Sequence, residues 1–224
     1  MTYLDRSSHD SQHSAHNLKR QYCISGLVDA GCRIAGYRES LLQDISLAPR
    51  QIAMLLSSFG VVAVRDQGSG VDALYRFRNA AGSSILVIGG GPVLVEGKPQ
   101  MEGDRPISSE EDIRRSLDAL YAEQIEWISV LPESIEFLEA VSRLAGERGM
   151  KISARGKVAV EGALKGLVNL IEGIASLSEA SERRDPHVIV ESFREVETSR
   201  LCARLKSLAD RGVAMTTELI ALRR

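Results

Sequence analysis

The stretch SILVIGGGPVLVEG, Ser84 to Gly97, holds the glycine cluster whose spacing comes nearest to a chemical signature. An apolar run feeding three glycines could cradle a phosphate. A P-loop, however, needs a lysine to reach the phosphates and a following hydroxyl to hold Mg²⁺, and neither follows Gly91. A dinucleotide fingerprint must open into a helix, whose free N–H groups and dipole meet the pyrophosphate. Here the chain continues as PVLVEG, a β-branched run flanked by proline. The glycines therefore read as the positive-φ residues of a tight hairpin turn, with Pro92 starting the return strand. No nucleotide cofactor is expected.

The other reactive residue types are scattered. His9, His13 and His16 lie in a leader rich in Ser, His and Asp. With almost nothing to bury, it reads as a solvated, disordered tail over residues 1–20. His187 follows an Asp-Pro step, so a Ser–His–Asp or Cys–His apparatus would hang on one surface histidine. Cys23, Cys32 and Cys202 are too few and too dispersed for a disulfide framework or a zinc site, which suits free thiols in a reducing compartment. The acidic residues of 110–139 fall on the solvent faces of amphipathic helices. This reading assigns no catalytic residue, no metal ligand and no enzymatic activity.

Charge gives a second line of argument. The chain carries a net −2, spread as +1 over residues 1–96, −6 over 97–150 and +3 over 151–224. Such a balance gives no global drive toward nucleic acid or a membrane. Local patches remain. Arg76 and Arg78 share one face if their segment is a strand, and Arg183, Arg184, Arg200 and Arg204 lie along the basic end. Phosphate contacts from these six would be sequence-independent and salt-sensitive. A leucine seam runs through the same end: Leu201, Leu205, Leu208, Met215, Leu219 and Leu222 follow heptad-like spacing and could bury against a partner or a second copy.

These residues need elements to position them. Residues 21–60 read as helical, with Ser46 as N-cap, Pro49 in the first turn and Ile52, Leu55, Leu56 and Phe59 on one face. From Val61 the period becomes strand-like: VVAVRD, the alternating ALYRFRNAAG, SSILVIGG and GPVLVEG read as an antiparallel meander. Ser108 and Glu111 form a capping box, Ile113, Leu117, Leu120 and Tyr121 give an apolar stripe, and IEWISVL, a helix opened by Pro132 and MKISA follow. Everything beyond residue 155 reads as helix, with a seam of Val160, Leu164, Leu167, Ile171 and Ile174. The predicted class is α+β: an antiparallel meander with packed helices over 61–155, and a C-terminal helical hairpin over 156–224. No apolar run approaches the ~18–20 residues that span a bilayer, and no secretory leader is evident, so the expected compartment is the cytoplasm.

The segment YRFRNAAGSSILVIGGGPVLVEG, together with SEEDIRRSLDALYAEQIEWISVLPESIEFLEAVSRLAGERGMKIS, resembles large polyvalent protein-associated domain seven over about residues 74–155. The likeness lies in Gly89 to Gly91, the Leu117–Leu120–Ala122 helix, Ile125 to Leu131, SIEFLEAVSRLA and GMKIS. Where the family carries a glycine turn before its second helix, this chain has Leu131-Pro132-Glu133-Ser134. The resemblance implies a setting, because such domains accompany relaxases, primases and other DNA-processing proteins of conjugative elements. The expected function is thus a non-catalytic accessory protein of plasmid or mobile-element DNA processing, acting through a protein partner such as a relaxase or secretion component, or through itself, with DNA as a further candidate partner. The alternatives are a small-ligand-binding or enzymatic α/β domain whose pocket the sequence hides, and a structural helical oligomer.

Overall fold

The computed structural model describes residues 25–34, 48–99, 103–173 and 198–216. The elements run in chain order β1 (Leu27–Cys32), α1 (Pro49–Ser58), β2 (Val61–Asp66), α2 (Val71–Ala81), β3 (Leu86–Gly89), β4 (Leu94–Glu96) and β5 (Arg105–Ile107). They continue α3 (Glu110–Ala122), β6 (Trp127–Leu131), α4 (Ile135–Gly146), β7 (Lys151–Ala154), α5 (Lys157–Leu164), β8 (Leu170–Ile171), α6 (Thr198–Asp210) and β9 (Ala214–Met215). Strands pair in the orders β1-β2-β3 and β5-β4-β6-β7-β8-β9, and every pairing among the described residues is parallel.

This architecture corrects the expected α+β meander. Helices alternate with parallel strands, the mark of an α/β fold. The glycine cluster makes no hairpin: β3 pairs with β2, while β4 continues onward to pair with β5 and β6. At Gly90 the backbone has φ +122°, and a Cβ there would sit inside the van der Waals envelope of Leu74 Cδ2. Glycine is needed for close approach between backbone and helix α2 as well as for conformation.

Two segments change type. Leu74 to Arg78 alternates like a strand, yet 71–81 is helix α2, because Leu74, Phe77 and Ala81 also recur at helical spacing and are all buried. The expected helix over 21–60 contains strand β1, and in α1 the buried positions are Ile52 and Ala53, with Phe59 71% exposed. The expected C-terminal helical hairpin gives way to α5, β8, α6 and β9, with Ile171 and Met215 register partners in the second sheet. Residues 1–20, His187, Ser46 and Ile174 lie outside the described residues.

Alternation within the strands sorts the side chains. In the β6–β7 pair, Ile128 matches Ile152 and Val130 matches Ala154, and these four join Leu117, Leu120, Leu138 and Leu144 in the core beneath the helices. Full burial of each such aliphatic side chain stabilises by roughly 1.5–3 kcal/mol. Helices α3 and α4 present those leucines because their starts are fixed: Ser109 Oγ accepts from Asp112 N, and Ser134 Oγ from Phe137 N. The capping serine of α3 is thus one residue later than expected, while Ser108 Oγ donates to the Asp112 carboxylate at 2.8 Å. Ser129 and Ser153, paired in register, point to the opposite face. That face carries the site.

Candidate functional site at the carboxyl ends of the strands

In parallel α/β sheets, ligands bind outside the carboxyl ends of the strands. Here that end is extended by ladder bonds one residue past β2, β7, β8 and β9. Gln67 N donates to Cys32 O at 2.7 Å, Arg155 N to Val130 O at 3.3 Å, Glu172 N to Ala154 O at 2.8 Å and Thr216 N to Ile171 O at 3.0 Å. Each bond keeps its residue in strand alternation. Gln67 therefore shares a face with Arg65, Arg155 with Ser153, Glu172 with Leu170, and Thr216 with Ala214.

A closed polar ring occupies this inner face. Arg65 Nη2 pairs with Glu172 Oε1 at 3.0 Å, with side chains 7% and 1% exposed. Arg65 Nη1 donates to Ser153 Oγ at 3.1 Å, and Arg65 Nε to Ala30 O on β1 at 2.9 Å. Ser129 Oγ donates to Glu172 Oε1 at 2.9 Å and lies 3.1 Å from Ser153 Oγ. Ser153 has one hydroxyl proton, which either meets Ile128 O at 3.0 Å or passes to Ser129. With the second choice, every link from Arg65 through Ser153 and Ser129 to Glu172 carries a proton. A buried carboxylate survives as an anion only when paired and hydrogen-bonded. Arg65 and Ser129 meet both conditions, and the guanidinium joins the first sheet to the second.

Around the ring, the loop ends are pinned. Asp66 Oδ1 accepts from Ile34 N at 2.8 Å and from Ser69 Oγ at 2.7 Å, while its Oδ2 accepts from Ser69 N at 2.8 Å. Burial pushes the Asp66 carboxyl above the ordinary carboxylate range, against the pull of those hydrogen bonds. Arg33 Nη2 pairs with Asp104 Oδ1 at 2.8 Å, and Thr216 Oγ1 accepts from Gly173 N at 3.2 Å. Burial, and secondarily the charges of Asp66 and Asp29, push the Cys32 thiol far up. Only the thiolate is nucleophilic, so iodoacetamide at pH 8 should label the exposed Cys202 well before Cys32. Peptide mass spectrometry checks this, and equal labelling rates in the folded chain would contradict the packing around β1.

The residues expected to touch DNA or a partner lie elsewhere. Arg76 and Arg78 are two apart on helix α2, about 200° around its axis, and so form no common face. Arg76 is exposed, while Arg78 is half-buried, with its Nη2 3.4 Å from Val87 O and its guanidinium over the Tyr75 ring. Arg200 and Arg204 belong to α6, and Arg183, Arg184, Leu219 and Leu222 lie outside the described residues. Of the leucine seam, Leu208 is in the chain's own core, Leu201 and Met215 pack against that core, and Leu205 is 40% exposed.

Sequence reasoning missed the entire ring: Arg65, Ser129, Ser153 and Glu172, with Gln67, Arg155 and Thr216 beyond it. A signal was present. The stretches VVAVRDQ, KISAR, LIE and AMT each end an apolar run in a polar residue. Among the described residues no group of three or more His, Cys, Asp or Glu side chains could hold a metal ion.

An all-parallel α/β fold with a polar inner face at the strand ends defines the class to which the chain is structurally similar. No protein-family model matches the sequence, and no curated protein matches it. Solved structures do match. The chain is similar to A. niger ochratoxinase, at 15% identity and a TM-score of 0.54, over 86% of this chain and 62% of that one. It is also similar to a Xaa-Pro dipeptidase with methionine bound in its active site, at 14% identity and a TM-score of 0.54, over 86% and 65%. A bottromycin amidohydrolase matches at 19% identity and a TM-score of 0.50, over 84% and 37%. The chain spans between 37% and 65% of the length of these three structures. At such identities the likeness is one of fold. It corrects the expectation of a non-catalytic accessory protein of conjugation and plasmid mobilisation, since the fold is one found in proteins named as a Xaa-Pro dipeptidase and an amidohydrolase. Among the described residues no helix is long and apolar enough to cross a membrane.

Proposed function

We propose that the chain is an enzymatic α/β domain that binds a small molecule at the carboxyl ends of its parallel strands. The observation that carries this reading is the ring of Arg65, Ser153, Ser129 and Glu172. Placing an ion pair and two hydroxyls on a buried face costs stability that apolar packing would not. The ring also stands where α/β folds bind ligands. Within it, Glu172 is the carboxylate that would exchange protons, Ser129 is the hydroxyl in contact with it, and Arg65 fixes its orientation. The fold neighbours named as a Xaa-Pro dipeptidase and an amidohydrolase support chemistry of the hydrolase type. Free thiols at Cys32 and Cys202 fit the cytoplasm as the compartment.

A thermal-stability screen against amides, dipeptides and their acids tests the reading. A ligand present at a hundredfold its dissociation constant stabilises by about 2.7 kcal/mol. At least one compound should raise the midpoint in the full chain and lose its effect in Glu172→Gln. Stabilisation by DNA alone, or by compounds whose effect survives Glu172→Gln, would overturn it.

A further inference from the structure

Resting on that reading, the structure assigns the ligand of this site a chemical class: we infer that it bears a carboxylate, received by Gln67 and Arg155. Both residues extend their strands by the ladder bonds given above, two positions beyond Arg65 and Ser153. Those two touch at 3.1 Å across the interior. Two residues of strand rise about 6.6 Å, so Gln67 and Arg155 stand one layer above that contact, on the same inner face.

Each carries a donor that nothing among the described residues uses. Gln67 is 7% exposed, and its Nε2 is buried without a hydrogen-bond partner; Arg155 Nε is likewise buried and without one. A buried donor left unpaired costs about 1–3 kcal/mol, and two in one layer mark a place where an acceptor belongs. Asp66 is engaged by Ile34 and Ser69, Asp104 by Arg33, and Glu172 through its Oε1 by Arg65 and Ser129.

Charge selects among acceptors. Among the described residues on this face, the guanidinium groups of Arg65 and Arg155 stand against the carboxylate of Glu172, which leaves one positive charge to balance. Helix α5 begins two residues after Arg155 with no acidic side chain in its first turn, and the positive end of its dipole favours negative charge there. A carboxylate supplies two planar oxygens and one negative charge, which matches two N–H donors and one excess cation. A neutral amide supplies one oxygen and no charge.

The test is calorimetric titration of the full chain with N-acetylglycine, lactate and succinate, each beside its amide. At least one acid should bind tenfold or more tightly than its amide. Arg155→Met and Gln67→Glu, two independent variants, should each weaken it at least tenfold while keeping the cooperative thermal transition. If acids and amides bind alike, or if a compound found in the stability screen binds equally in both variants, the carboxylate assignment falls and the ligand site stands. If no compound in either experiment perturbs the chain, both readings fall together.

Discussion

Arg65→Met should cost about 3–5 kcal/mol of stability, the usual penalty for removing one partner of a buried ion pair. For a chain of this length that lowers the thermal midpoint by roughly 6–20 °C. The cause is the carboxylate left behind. Glu172 is 1% exposed, and without the guanidinium at 3.0 Å it keeps Ser129 but loses this ion pair. Ala30 O and Ser153 Oγ lose a donor as well. The double variant Arg65→Met with Glu172→Met should regain most of the loss, because well-packed apolar replacements of buried ion pairs are often neutral or better. Its serines stay satisfied, since Ser153 can donate to Ile128 O and Ser129 to Ser153. Urea melts of the wild type, both single variants and the double variant decide it. A double variant no more stable than Arg65→Met would mean that the ring is not what holds the two sheets together. The same double variant should lose ligand binding, which separates stability from function.

Gly90→Ala is the second large effect, at roughly 2–5 kcal/mol, from a left-handed backbone and an overfilled core acting together. The backbone share comes from φ +122°, and the packing share from Leu74, a fully buried side chain of α2. Gly60 separates the two. It has φ +76° with nothing within 4 Å of the place a Cβ would take, so Gly60→Ala carries strain alone and should cost about 1–3 kcal/mol. The excess of Gly90→Ala over Gly60→Ala measures the crowding against Leu74. Adding Leu74→Ala should give a favourable coupling energy in a double-mutant cycle. If the two glycine variants cost the same, the junction between β3 and β4 is not packed on α2 as described.

Some of this was legible in the residues. The stripe of Ile113, Leu117 and Leu120 is buried as its spacing implies, while Tyr121 is 58% exposed, and IEWISVL and MKISA contain strands β6 and β7. Strand direction was not legible. Alternation places side chains on faces but does not say whether a neighbour runs parallel, and GGGP between two short apolar runs has the composition of a hairpin. In Leu74 to Arg78 two periods coexist, and tertiary burial of Leu74 and Phe77 chose the helical one. The site was hidden for a different reason. Its members are Arg, Ser, Glu and Gln, with no histidine or cysteine to draw notice, and they come from separate strands. No local spacing joins Arg65 to Glu172. They meet only once parallel topology has brought the carboxyl ends together.

That separation has a consequence for how the chain is made. Arg65 and Glu172 are 107 residues apart, and a ribosome adds about 5–20 residues per second. For several seconds after β2 emerges, its arginine has the carbonyl of Ala30 within reach but no countercharge, and the edge of the first sheet stays open. The ion pair can form only when β8 arrives. The last links of the ring thus act as a clasp closed late in synthesis, and a nascent chain stalled before residue 172 would present an unpaired guanidinium and a bare sheet edge to the chaperones that meet it.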